Sequence, residues 1–125
     1  MKSYKDATVE YHLTANTEHR ITVTFSGKAS LQGTENFITW IEEELVDRPH
    51  QSLQIILDLC ALSSVPIRSQ LRMASWILGV KGRVANVAIV GGGRGARALA
   101  KGANMTNVQF FTDAQKAATW LEAAK

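Results

Sequence analysis

The run Leu53 to Leu59, LQIILDL, is short, nearly continuous in apolar residues and rich in branched side chains. A strand with one wet face alternates polar and apolar residues, so a run of this kind reads as a strand covered on both faces. It belongs in the middle of a sheet, with helices packed against that sheet. The flanking sequence supplies both.

From about Thr34 the spacing becomes helical, with Phe37, Ile38, Ile41 and Leu45 on one side and Glu42, Glu43 and Asp47 on the other. Thr34 is the expected N-cap, and Pro49 stops the helix. After the apolar strand, Pro66 suits the first position of a second helix, with Ser63 or Ser64 to cap it. Ile67, Leu71, Ala74 and Leu78 form the expected apolar stripe of that helix. Val84 to Val90 is the next strand, GGGRG a turn and Ala96 to Ala103 a short helix. Val108 to Phe111 and Ala114 to Ala124 repeat the pattern.

Upstream, Thr8 to Leu13 and Arg20 to Ser26 alternate as strands, with Ile21, Val23 and Phe25 on one face. ANTEH between them has the polar turn chemistry of an antiparallel hairpin. The expected fold is therefore α/β: a single mixed β-sheet, an N-terminal hairpin followed by parallel strands, about four helices, and the order ββαβαβαβα. At 125 residues, with 46% hydrophobic and 20% charged residues, the chain is expected to be one globular domain over 1–125. The one cysteine, Cys60, forms no internal disulfide and is expected as a small core residue. No stretch reaches the roughly 20 apolar residues of a membrane span, and a cytoplasmic location is the expectation.

In the order of its elements and in three stretches the chain resembles the STAS-like superfamily, in particular its small stand-alone SpoIIAA-like members. The stretches are ILDL (56–59) followed by a loop and helix, VAIVG (87–91), and the ending VQFFTDAQKAATWL (108–121). The resemblance implies a regulatory or binding module without enzymatic activity or cofactor, working through a protein partner or as a homodimer. In anti-sigma factor antagonists of this kind, an Asp-Ser-Ser or Asp-Ser-Thr motif after the LDL-like strand carries a phosphorylated serine at the start of the next helix. Here the matching stretch is Pro66, Ile67 and Arg68, so that phosphoacceptor is missing. Asp58, Ser63 and Ser64 remain as candidates for a switch loop, and Ser69 lies nearby.

Charge is uneven although the net value is only +3. Between Asp58 and Asp113 there is no acid, while Arg68, Arg72, Lys81, Arg83, Arg94, Arg97 and Lys101 all fall there. Arg68, Arg72 and Trp76, four residues apart, share a helical stripe and with Lys101 make a candidate basic face. Such a face would attract phosphates, acidic proteins or anionic membrane, or would simply meet the acidic first helix.

Gly92, Gly93, Arg94, Gly95 and Arg97 form a candidate anion or phosphate site, because glycines let backbone N–H groups approach a phosphate at a helix start. The stretch formally fits G-x-G-x-x-A, but too little chain follows Asp113 for a dinucleotide fold, and Asp113 reads as the N-cap of the last helix. A permissive turn that allows tight packing is the alternative. His12, His19 and His50 have no spacing that builds a zinc or nucleophile site, and no specific nucleic-acid reader is present. Among the tryptophans, Trp76 is the one expected to be exposed.

Overall fold

A computed structural model describes residues 2–5, 9–17, 19–46, 53–64, 66–80, 84–91, 107–111 and 113–123. Their elements are strands β1 (Lys2–Lys5), β2 (Val9–Thr17) and β3 (Arg20–Lys28), helix α1 (Leu31–Leu45), β4 (Gln54–Ser64), helix α2 (Ile67–Val80), β5 (Asn86–Val90), β6 (Val108–Phe111) and helix α3 (Ala114–Ala123). The strands form one sheet in the order β1-β2-β3-β4-β5-β6. The first three are antiparallel, and β3 to β6 run parallel.

The mixed α/β sheet is the architecture expected from the sequence. It gains one strand, β1, whose four residues carry lysine at both ends and form a short, charged edge. The expected helix over 96–103 lies outside the described residues.

Alternation places the core. On β2 and β3, Val9, Tyr11, Leu13, Ile21, Val23 and Phe25 point to the face covered by α1 and α2. On β4 and β5, Ile55, Leu57, Val87 and Ile89 do the same, while Ile56, Ala88 and Val90 point to the opposite face and meet Ala117 and Leu121 of α3. That two-sided burial is what LQIILDL predicts for a central strand.

Helix α1 starts earlier than expected. Ser30 is its N-cap: its extended backbone lets Oγ accept from Gly33 N at 2.9 Å. Thr34 is instead a buried residue of the first turn, its hydroxyl bonded to Ser30 O at 2.8 Å. Gly33 hides this first turn in the sequence, because an interior glycine lowers helix propensity. Its carbonyl accepts the Tyr11 hydroxyl from below.

At the amino ends of the parallel strands a polar clip holds α3. Arg20 donates to Gln54 Oε1 through Nε (3.1 Å) and Nη2 (2.9 Å), and Nη2 also meets Glu122 at 2.9 Å. Gln54 Nε2 in turn donates to Leu121 O at 2.9 Å. Gln54 is buried and both ends of its amide are engaged, which is how a core tolerates such a group.

Candidate functional site

The carboxyl ends of the parallel strands are the place where an α/β sheet leaves a crevice, and β4 is irregular there. Thr24 pairs with Asp58 and Ser26 with Ala61, so Phe25 faces two residues, Leu59 and Cys60: a β-bulge. The bulge takes Cys60 N–H out of the ladder, and Asp58 Oδ1 accepts it at 3.0 Å. Asp58 is thus held as a local backbone acceptor.

Cys60, expected in the core, is exposed. The bulge turns it outward while Leu59 packs toward α1 and α2. Its sulfur lies against Gly91, where an added Cβ would stand 2.9 Å from Sγ and 3.2 Å from Cys60 N. Desolvation of the thiol, then the hydrogen bond and negative charge of Asp58, raise its pKa above the ordinary thiol value. Gly91 has φ +78°, so both its backbone and its close approach to Cys60 require glycine.

The remaining switch-loop candidates do not form a loop. Ser63 and Ser64 are the last residues of β4, with Ser64 opposite Lys28. Helix α2 begins at Ile67, and Gln70 N–H donates to Pro66 O at 3.1 Å to close its first turn.

Helix α2 departs most from its sequence pattern. The face that it buries runs through Ser69, Ala74, Trp76, Ile77 and Val80, with Met73 packed alongside. Of the expected stripe only Ala74 is buried; Ile67, Leu71 and Leu78 are 59%, 48% and 40% exposed. Helical spacing fits both sets equally, and only the position of α1 selects between them.

Trp76, expected to be exposed, is 5% exposed. It packs edge-on to Phe37 with ring centroids 5.7 Å apart, and its indole N–H donates to Glu42 Oε1 at 2.8 Å. One turn earlier, Arg72 Nε bonds Glu35. One more turn back, Arg68 is exposed. The Arg68–Arg72–Trp76 stripe is therefore a seam against the acidic side of α1, buried at Trp76, partly open at Arg72 and exposed at Arg68. Gly92, Gly93, Arg94, Gly95, Arg97 and Lys101 lie outside the described residues.

Asp113 caps α3, accepting Lys116 N–H at 2.8 Å. His12 lies beside Glu10 on its own strand, 3.5 Å away. Among the described residues no cluster of His, Cys, Asp or Glu could hold a metal ion, and no helix is long and apolar enough to cross a membrane.

A cavity of about 60 Å³ lies between the sheet and helices α1 and α2. Phe25, Leu57, Ile89 and Phe110 form its floor from the strands, and Met73 and Ile77 its roof from α2. Nothing in the apolar spacing announced it, because a void depends on how side chains from distant elements meet.

The SpoIIAA-like family model matches residues 20–122. No curated protein matches the chain. Among solved structures, an uncharacterized protein of the DUF3478 family with a SpoIIAA-like fold from Shewanella loihica PV-4 is 18% identical, covering 97% of this chain and 99% of its own, with a TM-score of 0.63. The anti-sigma factor antagonist SpoIIAA in its unphosphorylated form is 10% identical over 90% of this chain and 96% of its own, with a TM-score of 0.65. An antisigma-factor antagonist STAS domain from Rhodobacter sphaeroides is 14% identical over 73% and 98%, with a TM-score of 0.56. At these identities the likeness is one of fold.

Proposed function

The chain belongs to the SpoIIAA-like family, and from that premise we propose that it is a non-enzymatic regulatory module that binds a protein partner through the outer face of α2. The observation that carries this reading is the exposed stripe of Ile67, Leu71 and Leu78, beside which Arg68 is also exposed. A row of aliphatic side chains flanked by a cation suits a partner segment with apolar anchors and an acidic flank. Family membership supports the class of function, since anti-sigma factor antagonists share this fold.

The test is a photo-crosslinking amino acid placed at Leu71 and, as a control, at Thr119 on α3. A discrete adduct from position 71 in cells, absent from 119 and lost in Ile67→Glu with Leu78→Glu, supports the reading. Equal labelling from both positions sinks it. Sedimentation of the purified chain identifies the partner as a second copy if the adduct mass and a concentration-dependent dimer agree. Both glutamate variants keep the fold, because substitutions at exposed positions change stability by about 0.5 kcal/mol or less.

A further inference from the structure

The cavity beneath α2 holds one unexplained group. Ser69, in the first turn of α2, is 1% exposed, lines the cavity, and among the described residues its hydroxyl is the buried side-chain polar group without a hydrogen-bond partner. Of the other polar side chains of the lining, Tyr11 bonds Gly33 O, Thr34 bonds Ser30 O, and Gln70 is half-buried. A buried hydroxyl left unpaired costs about 1–3 kcal/mol. Native cores leave few such groups, and each calls for an explanation.

The walls define the occupant's chemistry. No charged side chain lines the cavity among the described residues, and its surface is aliphatic and aromatic apart from the groups just named. A carboxylate or phosphate would lose its hydration there with no cation to replace it. A pure hydrocarbon would leave Ser69 unpaired. At about 60 Å³ the cavity is well below the roughly 150 Å³ of one that takes a benzene ring, so it takes an end group and not a ring system. Gly91 is exposed and Ala29, Leu59, Leu62, Gln70, Met73 and Phe110 are half-buried, and Ala29, Leu62 and Gly91 among them put an opening at the carboxyl ends of β3, β4 and β5.

We infer that this cavity binds the neutral polar end of a small, otherwise apolar molecule, an alcohol, aldehyde or ketone, by a hydrogen bond to Ser69 Oγ. This goes beyond the docking role of α2: the ligand sits under the helix, and the partner on top of it.

The full chain labelled with ¹³C at methionine methyl groups reports on the site through Met73, which lines it. Titration with 1-butanol and with 2-butanone should move the Met73 signal saturably in the millimolar range, while butyrate at equal concentration should bind at least about tenfold more weakly. Ser69→Ala should weaken butanol about tenfold, the worth of one buried hydrogen bond, and should melt at or above the wild-type temperature. Ala74→Leu, which keeps the hydroxyl and fills the space, should abolish the shift. The inference is overturned if neither neutral probe saturates, if Ser69→Ala binds butanol as the wild type does, or if butyrate binds equally well. A lower melting temperature for Ser69→Ala also overturns it, because the hydroxyl would then already be satisfied by ordered water.

Discussion

The two faces of the sheet are built from the same strands but held by different physics. Toward α1 and α2, Tyr11, Phe25, Phe37, Trp40 and Trp76 form a continuous aromatic cluster, with Phe37 at its centre 4.7 Å from Phe25, 5.2 Å from Tyr11 and 5.7 Å from Trp76. Toward α3, a small cluster of Ile56, Ala88, Val90, Ala117 and Leu121 is supplemented by Phe111 against Trp120 and by the Arg20–Gln54–Leu121 clip. The first face is held by area and shape, the second by a few aliphatics and directed polar contacts. Small side chains on the second face let α3 lie close but leave little apolar area to release if it departs. The first face should therefore set global stability, and the second should open locally.

The largest test of that contrast is Phe37→Ala, which should cost about 3–5 kcal/mol in urea unfolding, as truncation of a packed aromatic does. Leu121→Ala should lie near the low end of the range for buried leucines, about 2–3 kcal/mol. It should also raise hydrogen exchange in α3 well before the rest of the sheet. Equal costs for the two variants, with exchange rising uniformly, would break the comparison. Gly91→Ala comes next at about 1–3 kcal/mol, since alanine must hold a positive φ and its Cβ meets Cys60. Adding Cys60→Ala should recover only the part due to the sulfur.

Arg20→Ala follows at about 1–2 kcal/mol, because it strips the donors from the buried Gln54 amide. Glu35→Gln should be nearly silent, below about 1 kcal/mol, since its pairing with Arg72 is half exposed to water. Asp58→Asn should leave stability little changed but make the Cys60 thiol react faster with a disulfide reagent at pH 8. The carboxylate that raises the thiol pKa is gone, so more thiolate is present at that pH. Unchanged reactivity would assign the raised pKa to desolvation alone.

How much the sequence revealed follows the same division. The central strand, the hairpin, the parallel pairing and the cap at Asp113 rest on local periodicity and cap chemistry and are all present, although β2 runs on through Thr17 into the expected turn and β4 runs on to Ser64, five residues past the expected end. The buried face of α2 was not legible, because two apolar stripes compete on one helix and local spacing cannot rank them. Cys60 was misplaced because a bulge breaks the period of two on which the reading of a strand depends. Trp76 was expected in water because arginines precede it, whereas the acids that receive it and Arg72 lie one helix away in sequence. Ser69 carried no signal at all. A serine early in a helix is ordinary, and what sets this one apart is the cavity that it lines.

The bulge at Leu59 and Cys60 also acts as a change of reading frame within β4. Before it, odd-numbered positions such as Ile55 and Leu57 face α1 and α2; after it, the even-numbered Leu62 does, opposite Gly27. A chain one residue shorter here would erase the bulge, pair regularly beyond Asp58 and still set Leu62 opposite Gly27 on the same face. The count of residues thus leaves the cavity wall where it is and decides what lies beside it: the extra residue is what sets Cys60 against Gly91, and a single deletion would remove that contact without touching any residue of the core.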